Sequence, residues 1–279
     1  MKTVQLQSKT AMPILGIGTW QLTGSTCTAS IKEALRHGYT HIDTAEAYGN
    51  EEQIGKALDE MQINRNNLFI TSKLWMSHYG YQDTIDACNA SLAKLGTKYL
   101  DLYLMHWPDS SRDMKETVSA MKDLYDDGKI RAFGVSNFTI PHLKRAIEVS
   151  KDIGIPISVN QVEFHPGLYQ EKLMTFCQDN DIVLEAYSPL TRGDIILDDT
   201  IQTIADNHAK TPAQVALRWM VQKDVVVIPK ASSKDHIKEN MEIFDFELTS
   251  DEMHTIDRLG DANRLINPPF AEFDVADAS

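Results

Sequence analysis

The 279-residue sequence predicts a single-domain α/β protein in which eight parallel strands alternate with helices and close into a (β/α)8 barrel of the TIM type. One observation is the regular alternation of short apolar runs with segments of helical period. Another is that the apolar runs number eight, which favours a closed barrel over an open doubly wound sheet. The third is that no linker divides the chain, so residues 1–279 are predicted to form one domain ending in a tail, 260–279.

The strands are predicted from apolar runs that follow an N-terminal hairpin. Within Thr3–Leu15, two apolar stretches flank the polar residues 7–10, which predicts the hairpin. The eight predicted strands are Gly16–Thr19, His41–Ala45, Leu68–Leu74, Leu100–His106, Ile130–Asn137, Ser158–Phe164, Ile182–Ser188 and Val225–Pro229. Their interiors are mostly Ile, Leu, Val and Phe, as close packing requires.

The helices are predicted from apolar spacing together with start and stop signals. Ile31, Ala34 and Leu35 lie on one face of the first helix, which Gly38 ends, and Pro212 suits the first turn of the eighth. The predicted helices are Ser25–His37, Asn50–Met61, Asp83–Leu95, Arg112–Asp127, Pro141–Ser150, Gln170–Asn180, Thr200–His208, Thr211–Gln222, Ser233–Phe244 and Ser250–Leu259.

The composition excludes several classes of protein. The formal net charge is −13, whereas nucleic acids and anionic membranes require a basic face. No run approaches the roughly 18 apolar residues of a membrane span, and the first ten residues lack the apolar region of a secretory signal. Cys27, Cys88 and Cys177 contain no CxxC pair, which favours reduced thiols over disulfides or a zinc site. We therefore predict a cytoplasmic protein with a small-molecule ligand.

A dinucleotide-binding fingerprint is only partly present near the N-terminus. Gly16 and Gly18 supply its first two glycines, but Gln21 stands where the third belongs. The next helical pattern also begins several residues late. An open-sheet Rossmann dehydrogenase is therefore the weaker interpretation.

Almost every residue at or near the carboxyl end of the eight predicted strands is polar or aromatic. In a (β/α)8 barrel the carboxyl ends of the strands meet at one face, where the active site lies. One polar strand end is routine, but eight in succession are hard to explain by packing or solubility. These residues are Thr19, Trp20, Asp43, Lys73, His106, Ser136, Asn137, Gln161, Tyr187, Ser188 and Lys230.

The chain resembles the aldo-keto reductases over essentially its whole length. The motifs that carry the resemblance are GIGTW at Gly16–Trp20, HIDTAEAYGNE at His41–Glu51, SKLW at Ser72–Trp75, LYLMHWP at Leu102–Pro108, GVSNF at Gly134–Phe138, NQVEFHP at Asn160–Pro166, AYSPL at Ala186–Leu190 and IPK at Ile228–Lys230. The resemblance implies a barrel closed at its bottom by the hairpin. It also implies reduction of aldehydes and ketones by NADPH, without metal, in a monomer.

The four catalytic positions of that family correspond to Asp43, Tyr48, Lys73 and His106. Hydride transfer leaves negative charge on the carbonyl oxygen, and the phenol of Tyr48 can supply the proton that neutralises it. We expect the Lys73 ammonium to lower the pKa of Tyr48, and Asp43 to keep Lys73 charged and oriented. His106 is expected to donate a hydrogen bond to the carbonyl. The alternatives are a structural ion pair, a rim tyrosine and a structural histidine.

The resemblance also implies the cofactor contacts, with departures at the phosphate end. The implied contacts are Thr19, Trp20, Asp43, Ser136, Asn137, Gln161, Tyr187, Ser188, Leu190, Lys230, Ser232, Ser233, His236, Glu239 and Asn240. Ala231 replaces a serine and His236 replaces an arginine that would grip a 2′-phosphate, so we expect appreciable use of NADH beside NADPH. Gln21 replaces a lysine and the segment after Leu190 is short, which argues against a belt over the pyrophosphate.

The substrate pocket is expected to be aromatic and open. Its predicted walls are Trp20, Tyr48, Trp75, His106 and Trp107. The segment Asp109–Asp113 is short for the family, and the tail, with Phe270 and Phe273, either folds over the pocket or is disordered. Small aldehydes, ketones, α-dicarbonyls or sugar-derived carbonyls are the expected substrates. The competing hypothesis is a family member that binds nucleotide as a sensor without turnover.

Overall fold

The computed structural model describes residues 2–191, 193, 198–259 and 264–273. Two antiparallel strands, β1 (Thr3–Gln5) and β2 (Ala11–Pro13), form the N-terminal hairpin. The Gln7 side chain donates hydrogen bonds to the carbonyls of Asn180 at 2.9 Å and Asp181 at 3.1 Å, just before a barrel strand begins. These bonds hold the hairpin across the amino-terminal end of the barrel, as predicted.

The eight barrel strands pair in parallel and in sequential order. They are β3 (Ile17–Gly18), β4 (His41–Asp43), β5 (Phe69–Leu74), β6 (Leu102–Met105), β7 (Phe133–Ser136), β8 (Ile157–Glu163), β9 (Val183–Tyr187) and β10 (Val226–Val227). The Val227 N–H donates to the Ile14 carbonyl at 2.9 Å, and the Gly16 N–H donates to the Val227 carbonyl at 2.9 Å. These bonds join the last strand to the first, so the predicted closed barrel is confirmed.

The closing seam requires a glycine. A Cβ atom built on Gly18 would lie 2.6 Å from the Ile228 carbonyl oxygen, closer than real Cβ contacts allow. The Gly18 N–H donates to the Pro229 carbonyl at 3.1 Å across the same seam. Gly18, one of the two glycines of the partial dinucleotide fingerprint, therefore allows two barrel strands to approach closely.

Ten helices occur within the described residues. They are α1 (Gly24–Arg36), α2 (Glu51–Met61), α3 (Tyr81–Leu95), α4 (Lys115–Asp126), α5 (Ile140–Ile153), α6 (Glu171–Asp179), α7 (Asp199–His208), α8 (Pro212–Gln222), α9 (Lys234–Glu239) and α10 (Ser250–Asp257). One apolar face of most of them packs on the barrel, while Trp219 in α8 is fully buried. No helix in the part of the chain that the structure describes is both long and apolar enough to cross a membrane.

The ninth helix is shorter than predicted. Its apolar spacing predicts a helix over Ser233–Phe244, but α9 ends at Glu239. The Gln214 side chain donates to the carbonyls of Glu239 at 3.1 Å and Glu242 at 3.2 Å. The Glu239 carbonyl, which would accept the Ile243 N–H in a longer helix, instead accepts this amide and the Glu242 N–H. Apolar periodicity does not reveal such a partner.

Candidate active site

The carboxyl ends of the strands surround a cavity of about 1200 Å³ that reaches α9. Every residue predicted to contact substrate lines it, and so does every predicted cofactor contact except Ser232 and Ser233. The lining residues among those predictions are Thr19, Trp20, Asp43, Tyr48, Trp75, His106, Trp107, Ser136, Asn137, Gln161, Tyr187, Ser188, Leu190, Lys230, His236, Glu239 and Asn240. Lys73 is fully buried and reaches the cavity through Tyr48.

Lys73 connects three neighbouring elements beneath the cavity. From β5, its ammonium donates to Asp43 Oδ1 on β4 at 2.6 Å and to the Thr44 carbonyl at 2.9 Å. Its third contact is the Tyr48 hydroxyl at 3.3 Å, on a single 3₁₀ turn (Glu46–Tyr48) that follows β4. Because parallel pairing aligns the ends of β4 and β5, side chains thirty positions apart in the chain meet here.

Burial controls the ionisation of this group. Burial alone would lower the pKa of Lys73, but Asp43 and Tyr48 outweigh it and the pKa is raised, so the ammonium stays charged. Burial also raises the pKa of Asp43, while Lys73 and Gln161 act against that rise. The pKa of Tyr48 is raised rather than lowered, because loss of solvent outweighs the opposing charge of Lys73. The expected net lowering of the Tyr48 pKa is therefore wrong, although Lys73 acts in the expected direction.

His106 is neutral and directed at the cavity. Burial and the nearby charge of Lys73 hold its pKa well below the usual value. Its Nδ1 atom is buried and finds no hydrogen-bond partner among the described residues. A buried, unpaired N–H costs more than an unpaired acceptor, so we infer that the proton is on Nε2. The ring packs edge-on against Trp75 at 5.1 Å and Tyr48 at 5.7 Å.

Ser136, Asn137 and Gln161, three of the predicted cofactor contacts, already make hydrogen bonds within the protein. Asn137 donates from Nδ2 to the His106 carbonyl at 3.0 Å and to Ser136 Oγ at 3.1 Å, and its Oδ1 accepts from the Tyr187 hydroxyl at 2.8 Å. Gln161 Nε2 donates to Asp43 Oδ2 at 2.7 Å. Gln161 Oε1 receives no donor from the described part of the chain, so it can accept a hydrogen bond from an N–H or O–H group of a ligand.

Glu185 was not identified from the sequence. It lies in β9, fully buried, and its Oε2 atom accepts a second hydrogen bond from Gln161 Nε2 at 2.8 Å. Burial and the charge of Asp43 raise the pKa of Glu185 to about 8. The sequence did contain one signal for Glu185. It is an acid in an apolar strand, and it lies two residues before Tyr187, so both side chains point to the same face.

The far end of the cavity carries exposed basic groups. Lys230 and His236 line it, whereas Ala231 is buried and offers no hydroxyl. The Ser233 hydroxyl accepts the His236 N–H at 3.2 Å and so caps α9. Lys234 and Lys238 face solvent in surface ion pairs with Glu33 and Glu242, each at 3.6 Å.

The C-terminal segment 264–273 lies over the aromatic mouth. The buried Glu163 carboxylate accepts the backbone N–H groups of Leu265 at 2.7 Å and Ile266 at 2.9 Å. At the other end, Glu272 accepts the Ser110 N–H at 3.0 Å. Between these anchors Phe270 packs edge-on on the two cavity tryptophans, 5.8 Å from Trp75 and 5.3 Å from Trp107.

Some predictions concern residues outside the described ones. The segment after Leu190, predicted to be too short for a belt over a pyrophosphate, includes 192 and 194–197. The tail prediction includes 260–263 and 274–279. For the described part of the tail, Phe273 lies 5.8 Å from the Trp107 ring and beneath the Arg264 guanidinium at 3.8 Å.

The chain belongs to the aldo/keto reductase family, whose model matches residues 14–261. This family generally carries out carbonyl reduction with NAD(P)H. The chain is 46% identical over 264 residues to a glyoxal reductase of Bacillus subtilis, covering 94% of both chains. It is 40% identical over 270 residues to a 9,11-endoperoxide prostaglandin H2 reductase of Trypanosoma cruzi, covering 95% of this chain and 94% of that one.

Solved structures agree with the sequence relatives. An aldo-keto reductase from a Medee basin deep-sea metagenome library matches with a TM-score of 0.91 and 39% identity, covering 98% of this chain and 99% of that chain. A putative 2,5-diketo-D-gluconic acid reductase B matches with a TM-score of 0.92 and 36% identity, covering 98% and 97%. The barrel of this chain is therefore the barrel of its family.

Proposed function

We propose that this protein reduces small aldehydes and ketones to alcohols, with Tyr48 as the proton donor. The observation that carries the proposal is the Lys73 ammonium, 3.3 Å from the Tyr48 hydroxyl and 2.6 Å from Asp43, beneath a cavity that the neutral His106 also lines. NADPH supplies the hydride when it is bound. The side chains of the site supply orientation, charge and the proton.

His106 and Tyr48 act on the same carbonyl oxygen in this proposal. An Nε2–H on neutral His106 donates a hydrogen bond, and its lowered pKa leaves little of the protonated ring to act as an acid. The raised pKa of Tyr48 keeps the phenol protonated until charge develops on the substrate oxygen. The Lys73 ammonium then stabilises the phenolate as it forms, and Asp43 keeps that ammonium in place.

The residues present fit a nicotinamide cofactor. The unpaired acceptor at Gln161 Oε1 suits a carboxamide NH2, and Ser136 and Asn137 lie beside it. Lys230 and His236 are the basic groups at the phosphate end. We propose NADPH as the cofactor with appreciable use of NADH, because a histidine cannot bind a 2′-phosphate bidentately as an arginine does.

The proposed substrates are small carbonyl compounds, with α-dicarbonyls foremost. Trp20, Trp75 and Trp107 give the mouth an aromatic surface, and a relative of 46% identity is named for glyoxal. We further propose a monomer that acts in the cytoplasm, where the buried free thiols of Cys27, Cys88 and Cys177 stay reduced.

Tyr48→Phe tests the proposal. We expect it to abolish reduction across a panel of aldehydes and dicarbonyls, while nucleotide still quenches tryptophan fluorescence. Tyr81→Phe is the matched control, because Tyr81 is an exposed phenol on α3 that bonds Asp123, and it should leave turnover unchanged. Substantial turnover by Tyr48→Phe would overturn the proton-donor role. A wild-type protein that binds nucleotide but turns over no carbonyl would instead indicate a sensor.

A further inference from the structure

Two carboxyl groups share the floor of the site with one ammonium. Asp43 on β4 and Glu185 on β9 are bridged by the Gln161 amide at 2.7 and 2.8 Å, and Lys73 lies 2.6 Å from Asp43. All of them are at most 2% exposed. His41 adds no positive charge, because burial lowers its pKa to about 3. One carboxyl group must therefore be neutral or remain a buried charge without a counterion, which is costly.

Glu185 is the carboxyl group better suited to be neutral. Asp43 accepts from both Lys73 and Gln161, whereas Glu185 accepts from Gln161 alone among the residues that the structure describes. Glu185 Oε1 is buried and meets no donor within hydrogen-bond distance in the described residues. His41 Nε2 lies 3.5 Å from this oxygen, too far for a strong hydrogen bond, and contacts Thr71 Oγ1 at 3.2 Å. The raised pKa of Glu185 agrees with this assignment.

We propose that Glu185, as a neutral acid, is a positioning residue that orients the Gln161 amide and leaves Asp43 and Lys73 as a balanced ion pair. The proposal rests on the reductase function proposed above and deepens it. With both N–H bonds of Gln161 held by carboxyl oxygens, its Oε1 stays directed at the cavity, where it selects a ligand that carries a donor.

Ionisation of Glu185 sets an alkaline limit on reduction. The titratable groups that face it are Asp43 and His41 from β4, Lys73 from β5 and Tyr48 from the 3₁₀ turn. A second anion on the floor disfavours the phenolate that Tyr48 becomes when it gives up its proton. Reduction should therefore slow as the pH rises through the pKa of Glu185, which is about 8.

Two substitutions separate charge from hydrogen bonding. Glu185→Gln preserves a neutral group with an acceptor oxygen, so kcat and the cofactor KM at pH 7 should stay within about twofold of wild type, while the decline near pH 8 disappears. Glu185→Leu removes the acceptor and frees Gln161 to turn, so the KM for NADPH should rise about tenfold or more with a smaller change in kcat. Glu51→Gln, at a buried carboxylate on α2 that accepts from Ser72, is the matched control and should change neither quantity.

An infrared measurement tests the protonation state without any turnover. The difference spectrum of wild type minus Glu185→Gln should contain the carbonyl stretch of a protonated carboxylic acid at pH 6.5, and that band should fade as the pH is raised. Absence of the band, or a more than tenfold loss of activity in Glu185→Gln at pH 7, would overturn the proposal. If the wild type proves inactive, the proposed function fails, and the band still decides the state of Glu185.

Discussion

The floor and the rim of the site are built from different kinds of contact. The floor consists of Asp43, Lys73, Gln161 and Glu185, which project from four barrel strands and bond one another out of contact with solvent. The rim consists of residues 264–273 together with α9. Carboxylates that accept backbone N–H groups hold the segment 264–273 in place. Exposed ion pairs hold α9.

Because of this difference, the floor affects the reaction itself, whereas the rim affects which ligands bind. The pairing register of the strands sets the positions of the floor side chains, so one altered group leaves a buried charge or donor without its partner. A rim residue can change without disturbing the barrel, because solvent replaces the lost contact. We therefore expect loss of a floor charge, at Asp43 or Lys73, to change the rate and stability together, and rim substitutions to change KM or cofactor choice.

Lys73→Met should show the largest effect, since it removes the one cation of the floor. Reduction should fall by about 10² to 10³-fold, because the forming phenolate loses its stabilising charge. The free energy of unfolding should fall by about 3 to 5 kcal/mol at pH 7, because Asp43 is left as a buried anion. Steady-state kinetics and urea unfolding monitored by circular dichroism measure the two losses.

The loss of stability expected for Lys73→Met depends on pH with a definite sign. Burial raises the pKa of Asp43, and without Lys73 less opposes that rise. A carboxyl group whose pKa is raised by folding stabilises the folded state at low pH and loses that contribution as the pH rises. The stability deficit of Lys73→Met should therefore shrink as the pH is lowered toward the ordinary pKa of an aspartate. A deficit that is constant with pH would contradict a buried Asp43 anion.

A surface ion pair of similar length is the matched control. Lys210 donates to Asp245 at 2.7 Å, but the Asp245 side chain is 64% exposed. Lys210→Met should cost at most about 1 kcal/mol and leave turnover unchanged. Equal losses in the two variants would show that burial does not distinguish the floor from the surface.

Glu163→Gln should have an intermediate effect that is confined to the rim. The carboxylate holds the N–H groups of Leu265 and Ile266, and His165 together with those amides lowers its pKa against the effect of burial, so it is ionised at neutral pH. Glutamine offers a single uncharged acceptor oxygen, so the segment with Phe270 should loosen. The KM for an aromatic aldehyde should rise about tenfold with a smaller change in kcat.

Glu171→Gln controls for the loss of a negative charge nearby, because Glu171 is exposed at the start of α6. It should leave both constants unchanged. A fall in kcat as large as the rise in KM for Glu163→Gln would show that Glu163 acts with the floor residues on the rate, and would contradict its assignment to the rim.

The sequence predicted the barrel and the polar strand ends because both depend on local patterns. A period of two or 3.6 residues marks each element, and parallel strands bring their ends together at one face. The pairing of Asp43 with Lys73 followed from the family resemblance. The bridge from Gln161 to Glu185 was missed because a lone acid in an apolar strand does not reveal its partner, which lies 24 positions away.

The ionisation of Tyr48 and the position of the C-terminal segment could not be predicted for a related reason. The pKa of Tyr48 depends on how completely the surrounding protein excludes water, and the sequence contains no measure of that exclusion. The anchor of the segment joins Glu163 to an amide 102 positions later. Contacts of this length are set by the folded topology rather than by any local pattern.

The smallest expected effect concerns the cofactor end of the rim. The double substitution Ala231→Ser and His236→Arg adds a hydroxyl and a permanent positive charge where Lys230 lines the cavity. The ratio of kcat/KM for NADPH to that for NADH should rise about fivefold to tenfold, because arginine can bind a phosphate bidentately. His254→Arg adds the same charge on the exposed face of α10 and should leave the ratio unchanged. An equal rise in both variants would indicate general attraction of an anionic cofactor to a less acidic protein, whereas a wild-type preference for NADPH above about 10³-fold would show that Lys230 suffices without an arginine.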